Sequence, residues 1–234
     1  MGGLGTRLRT VVSSAPKVLA SVGENSFLQL LVKQLRYQGI RRLVMCTGYL
    51  AEQVEHAFGD GQAWDVEIEY SKEERPLGTA GAVKNADHYL LGEKDFFVMN
   101  GDSFLEVDFE KLMTYHRNRN AVATMAVRHV SDAARYGTVR VNSEGRVESF
   151  DEKCGLAAPG VVNGGVYVFS QRVLPQIPAR SGSLEKDVFP QLLKNGVYAL
   201  EQRGMFIDIG TPEDYARAQL LCDVLNQTAS HLPS

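Results

Sequence analysis

The stretch MGGLGTRLRTVVSSAPK sets Arg7 and Lys17 beside Gly2, Gly3, Gly5 and Thr6. Backbone N–H groups in such a turn can converge on an anion, and a following helix start adds positive potential. The stretch lacks the GxxxxGK[ST] of a P-loop, and Leu8 stands where a dinucleotide fingerprint needs its third glycine. Taken alone, it is either a phosphate cradle or a structural turn with a surface arginine. Two acids are the complementary candidates. Asp102 follows the apolar run of DFFVMNGD, at the carboxyl end of a strand, where α/β sheets place ligands. Asp208 lies in MFIDIG, just before a capped helix. Ordinary turns and caps also carry aspartate, so neither acid is diagnostic by itself. The sequence offers no Ser/His/Asp constellation. Its three cysteines, Cys46, Cys154 and Cys222, are far apart and show no CxxC or Cys/His ligand spacing. That pattern reads as free thiols in a reducing cytoplasm.

These residues need a frame. NSFLQLLVKQLRYQG has helical apolar spacing at Phe27, Leu30, Leu31 and Leu35, with Asn25 or Ser26 as cap and Gly39 as its end. RRLVMCTG reads as a buried strand, YLAEQVEHAFGDG as a helix, VEIEY as a strand and TAGAVKNADHYLL as a helix. This alternation up to residue 105 predicts a mostly parallel sheet with helices on both faces. Beyond it the rhythm turns antiparallel. AVATMAVRHV is a strand, GTVRV and RVESF form a hairpin around NSEG, and VVNGGVYVFS is a strand interrupted by glycines. LEKDVFPQLLKNG reads as a helix disturbed at Pro190, and VYALEQ and MFIDIG as short strands. TPEDYARAQLLCDVL is a helix capped by Thr211, and the residues after it look like a frayed tail.

Length and composition narrow the class. A chain of 234 residues, 44% hydrophobic and 23% charged, can bury a substantial core. A net charge of −3 gives no reason to expect nucleic acid or an anionic membrane as partner. The Gly/Arg-rich N-terminus has no signal-peptide h-region, and no apolar run approaches the roughly 20 residues that span a bilayer.

Lys17 after Pro16 brings in a known family. GGLGTRLRTVVSSAPK resembles the signature GGxGTRLxPxTxxxPK of the sugar-1-phosphate nucleotidyltransferases. ERPLGTAGAV resembles that family's base-binding segment, VMNGDSF and FIDIGTPEDY its two metal motifs, YGTVRV and FDEK its sugar-phosphate segments, and VVNGGVYVF with SLEKDVFP its sugar pocket. The resemblance implies a Rossmann-like α/β fold with a mixed, mostly parallel sheet, the nucleotide-diphospho-sugar transferase fold. One domain would cover residues 1–226, with a nucleotide-binding half (1–105), a sugar-binding half (106–226) and a tail (227–234). The implied reaction is NTP plus sugar 1-phosphate giving NDP-sugar and pyrophosphate, with Mg²⁺ as cofactor. Within the family, the likeness is to guanylyltransferases that use GTP with D-glycero-α-D-manno-heptose 1-phosphate for surface polysaccharide synthesis. Mannose- or glucose-1-phosphate enzymes using GTP, UTP or dTTP are the runner-up.

The family's roles carry over by position. Arg7 and Lys17 would hold the triphosphate, with amides from Gly2, Gly3, Gly5 and Thr6. Asp102 and Asp208 would hold the metal. Glu73, Pro76, Gly78, Thr79 and Gly101 would meet the nucleotide, with Gly81 easing backbone approach to the base. Lys153 would meet the sugar phosphate beside Gly137 and Glu152, and Asn163, Gly164, Gly165 and Glu185 the sugar hydroxyls. Thr10-Val11-Val12 and Val18 depart from the family pattern without touching these groups. The family starts with an apolar strand ending in Ala-Gly-Gly, and Met1 stands at the Ala position. The expectation is a start upstream of Met1, because the sheet without that strand has two unpaired edges. A homo-oligomer is left open. Two other classes compete. A silent NDP-sugar sensor should have lost some of Arg7, Lys17, Asp102, Lys153 and Asp208. An NAD-dependent oxidoreductase needs the missing third glycine.

Overall fold

The computed structural model describes residues 15–151 and 157–231. Helix α1 (Phe27–Tyr37) starts at Ser26, whose hydroxyl accepts from the Gln29 N–H while the Gln29 side chain accepts from the Ser26 N–H. This reciprocal box satisfies two N–H groups that the first turn cannot, which is why Ser26 rather than Asn25 is the cap. Strand β1 (Arg42–Thr47), helix α2 (Ala51–Phe58) and strand β2 (Glu67–Lys72) follow, and β1 pairs with β2 in parallel. Helix α3 (Gly78–Asn85) is shorter than its sequence pattern, giving way at Ala86 to a 3₁₀ turn over Asp87–Leu90. Strands β3 (Asp95–Met99) and β4 (Ser103–Leu105), helix α4 (Phe109–Asn118), and strands β5 (Ala123–Val130), β6 (Thr138–Val141) and β7 (Val147–Asp151) come next.

The long strand β8 (Gly160–Ser170) is the spine of the second half. It runs antiparallel to β5 along one edge, and to β3 and β6 on the other. β6 and β7 form the predicted hairpin, and β9 (Val197–Glu201) adds in parallel to β5. Among the described residues this six-stranded sheet is therefore mixed, with a parallel pair at β5–β9, and β1–β2 is a separate parallel pair. The short β10 (Phe206–Asp208) pairs antiparallel with β4. Among the described residues β1 pairs only with β2, and β3 only with β8. A cavity of about 460 Å³ separates the two strands, lined by Leu28 and Leu31 of α1, Val44, Val83 and Val98 among others.

Three local differences from the sequence pattern have physical causes. Leu184–Val188 is a π turn, followed by one α turn (Phe189–Leu192) and a 3₁₀ turn (Leu193–Asn195). Pro190 has no N–H to continue an i→i−4 ladder, so the ladder breaks where it enters. The last helix divides at Leu221 into α5 (Pro212–Leu220) and α6 (Cys222–Thr228). The start of the segment that reads as a tail continues α6 as far as Thr228, and Leu225 and Ala229 are fully buried against the α1 side of the core. Among the described residues no helix is long and apolar enough to cross a membrane.

His116 of α4 is buried with its Nδ1 2.9 Å from Thr124 Oγ1 and its Nε2 3.5 Å from Asp95 Oδ1. Burial pulls its pKa down, and Asp95 only partly offsets this. The unfolded chain therefore takes up this proton first. Stability is complete above the unfolded value of about 6.5 and falls as pH drops from there towards the folded pKa. Denaturant melts at pH 7 and pH 5 should show this loss, and His116→Asn should make the profile flatter.

Candidate active site

Lys17 opens a 3₁₀ turn (Lys17–Leu19) whose Val18 is buried in the core beside α1. That anchor fixes the backbone and leaves the amine to project, with its side chain only 14% exposed. The amine sits 2.8 Å from Asp102 Oδ2. Asp102 lies in the turn between β3 and β4, and Asp208 ends β10. The β4–β10 ladder pairs Ser103 with Asp208, and the Ile209 N–H donates to the Asp102 carbonyl at 2.9 Å. Two acids from opposite halves of the chain thus meet at one sheet end. Burial raises the pKa of Asp208, the Asp102 charge raises it further, and Lys17 works against both. The Asp208 carboxylate also accepts from the Gly210 N–H. A Cβ on Gly210 would stand 2.6 Å from Asp208 Oδ1 and 3.6 Å from Lys17 Nζ, so Gly210 lies between the second acid and the amine.

Gly101 occupies the same turn as Asp102. Next to it, β8 bulges between Asn163 and Val166. Gly165 takes φ +75° there, and its carbonyl accepts from the Asn100 N–H at 2.8 Å. A Cβ on Gly165 would lie 2.5 Å from Ser103 Oγ, and one on Gly164 2.3 Å from Leu105 Cδ2. The two glycines let β8 press against the turn that carries Asp102.

A second cluster lies where α3 meets the segment before the π turn. Glu73 Oε2 accepts from the Leu77 N–H at 3.1 Å and braces the loop that holds the exposed Pro76. Gly78 and Gly81 face the backbone of 180–182, so their lack of a Cβ serves a contact within the protein. Thr79 Oγ donates to Glu185 Oε2 at 3.1 Å and accepts from the Leu184 N–H at 2.8 Å. Ser183 Oγ donates to the same carboxylate oxygen at 2.7 Å. The Tyr167 hydroxyl donates to Glu185 Oε1 at 2.9 Å, and Asn163 Nδ2 donates to that hydroxyl at 2.6 Å. Gly137 precedes β6, next to Tyr136, which packs on Phe206 at 5.6 Å and feels the Asp208 charge.

Gly2, Gly3, Gly5, Thr6, Arg7, Glu152 and Lys153 lie outside the described residues. Most of the others fall into two groups, Lys17, Gly101, Asp102 and Asp208 at the sheet end, and Glu73, Pro76, Gly78, Thr79, Asn163 and Glu185 around the α3 contact, and Gly137 before β6 is in neither. Glycines 164 and 165 join them through β8. Sequence reading passed over Tyr167 and Ser183. Tyr167 alternates within VYVF as a core aromatic would, and nothing in the pattern marks its hydroxyl.

The arrangement suits two carboxylates that share a cation and an ammonium that meets phosphate oxygens. Residues 1–223 match the family described as Nucleotidyl transferase. The chain is 37% identical to the mannose-1-phosphate guanylyltransferase of Mycobacterium tuberculosis, over 93% of this chain but 61% of that protein. It is also 37% identical to the D-glycero-alpha-D-manno-heptose 1-phosphate guanylyltransferase of Aneurinibacillus thermoaerophilus, over 94% of each chain. The crystal structure of HddC from Yersinia pseudotuberculosis superposes with a TM-score of 0.84 at 32% identity, covering 95% of this chain and 96% of that one. The same protein is also known complexed with GMP-PN. Matched by that family's model over residues 1–223, the chain belongs to the nucleotidyl transferase family.

Proposed function

We propose that this chain transfers a guanylyl group from GTP to D-glycero-α-D-manno-heptose 1-phosphate and releases pyrophosphate. The convergence of Lys17, Asp102 and Asp208 at one sheet end carries the reading. Two D-glycero-alpha-D-manno-heptose 1-phosphate guanylyltransferases, 37% and 34% identical over 94% and 92% of this chain, support the sugar. The product would feed capsule or lipopolysaccharide assembly from the cytoplasm.

The nucleophile is a phosphate oxygen already ionised at neutral pH, so no side-chain base is needed. It forms a bond to the α-phosphorus of GTP as the α–β bridging bond breaks, and pyrophosphate leaves. Catalysis is then positioning and charge neutralisation. Lys17 neutralises phosphate oxygens as charge shifts towards the leaving group. Asp102 holds that amine in place through the 2.8 Å ion pair. The donor set fits Mg²⁺: burial, and after it the Asp102 charge, raises the Asp208 pKa, and two carboxylates are the few protein ligands such an ion takes beside phosphate and water. Asp102 and Asp208 would hold the ion, which when bound supplies positive charge to the reacting phosphates. Glu185 and Asn163 would receive sugar hydroxyls.

The test is pyrophosphate release with Mg²⁺ across GTP, UTP, dTTP, ATP and CTP, each against heptose, mannose and glucose 1-phosphates. Release dominated by GTP with the heptose is expected. Silence with every pair, from folded protein, overturns the reading. Dominance of mannose 1-phosphate moves the substrate and leaves the class.

A further inference from the structure

We infer that Tyr167, whose hydroxyl bridges Asn163 and Glu185, is a positioning residue that sets the polarity with which the pocket meets two sugar hydroxyls. The inference rests on the sugar-binding reading of Glu185 and Asn163. Tyr167 is fully buried, 5.0 Å from the Phe189 ring and stacked 5.9 Å from Phe169. A phenylalanine would serve that packing, and a buried hydroxyl is unfavourable unless bonded on both sides. Here it is bonded on both sides, at 2.9 Å to Glu185 Oε1 and 2.6 Å to Asn163 Nδ2.

The direction of this chain of bonds is fixed. An ionised carboxylate only accepts, so the phenol must donate to Glu185. Burial, then the Glu185 charge, holds the phenol pKa well above its usual value, which keeps that proton in place. The hydroxyl oxygen then accepts, and it takes an Asn163 N–H. The Asn163 amide is locked the same way round from its far side, since its Oδ1 accepts from the Gly165 N–H at 3.0 Å. Counting acceptor sites completes the picture. A carboxylate offers about four lone-pair sites. Thr79 and Ser183 use Oε2, and Tyr167 uses one site on Oε1. Among the described residues, one acceptor on Glu185 Oε1 and one N–H on Asn163 remain. Both groups bond the same oxygen atom, so they stand close enough to meet neighbouring hydroxyls of one pyranose ring. The acceptor takes a proton from one hydroxyl and the donor gives one to the next. Thr79 ties this unit to α3, so the sugar-reading carboxylate is oriented partly from the nucleotide half.

The test is steady-state kinetics of Tyr167→Phe, which keeps the ring and removes the link. The KM for sugar 1-phosphate should rise about 10-fold, the usual scale of one hydrogen bond, with the KM for GTP within about twofold. An unchanged sugar KM overturns the proposal, as does a parallel rise in both KM values, which a merely structural role would produce. Glu185→Ala separates the two levels. If it leaves the sugar KM unchanged, the sugar-site reading itself fails. If it raises the sugar KM while Tyr167→Phe does not, only the role of Tyr167 fails. Should Tyr167→Phe not fold, Asn163→Ala and Glu185→Ala are combined. Each of those two side chains bonds the Tyr167 hydroxyl rather than the other, so linkage through Tyr167 makes their effects non-additive, and additive effects overturn it.

Discussion

Asp102→Asn lowers turnover by at least about 100-fold while the protein stays folded, as thermal melting and steady-state pyrophosphate release will show. The amide keeps the shape of the side chain and one acceptor oxygen, but removes the negative charge. Two consequences follow at the site. The proposed cation would lose one of its two carboxylate ligands, and Lys17 loses the partner that holds its amine at 2.8 Å. Stability hardly changes, because the Asp102 side chain is 42% exposed and such an ion pair contributes about 1 kcal/mol or less. Turnover close to the parent value would remove Asp102 from the metal set.

Gly78→Ala is the largest expected stability loss, about 2–4 kcal/mol, or a fall in Tm of roughly 5–15 °C. Gly78 takes φ +71°, where an L side chain is strained, and its Cβ would stand 2.4 Å from the Gly182 carbonyl oxygen. That carbonyl cannot retreat freely, since it accepts from the Ala80 N–H at 3.0 Å, while the Gly182 N–H donates to Leu77 at 2.9 Å. Gly39→Ala is the control. It has φ +81° with nothing within 4 Å of its Cβ, so it carries the conformational cost alone, about 1 kcal/mol. Equal losses at the two positions would show that the 78–182 contact does not constrain the fold. The Gly78 variant should also raise the sugar KM, because the displaced segment carries Ser183 and Glu185.

The contrast between these two positions shows what a sequence makes legible. Helix α1 and its Ser26 cap, the β6–β7 hairpin and the Thr211 cap follow from local chemistry, in which the partners sit within a few residues. Lys17, Asp102 and Asp208 could be assigned roles because their motifs resemble a family's, and the structure gives a reason for the pairing, the β4–β10 ladder. The contact of Gly78 with Gly182 was not legible. Local sequence makes Gly78 a flexible loop residue, and only the tertiary approach of α3 to 180–182 shows why a side chain is excluded. Tyr167 was hidden for the opposite reason. Its ring obeys the core pattern so well that the hydroxyl carries no separate signal. The split at Leu221 is similar, since the burial of Leu225 and Ala229 overrides a pattern that reads as one helix and a tail.

The β4–β10 ladder has a temporal side. It joins the turn after β3 to a strand near the end of the chain, and Lys17 reaches Asp102 across 85 positions. Contacts this distant in sequence carry a loop-closure cost and form late. During synthesis the phosphate-facing lysine and its first acid emerge well before the second acid, with β5 and β8 still to be laid down between them. The carboxylate pair therefore comes into being only as β10 docks on β4, and a chain still lacking β10 would lack the proposed cation site. Activity in this fold is a signal that folding has finished.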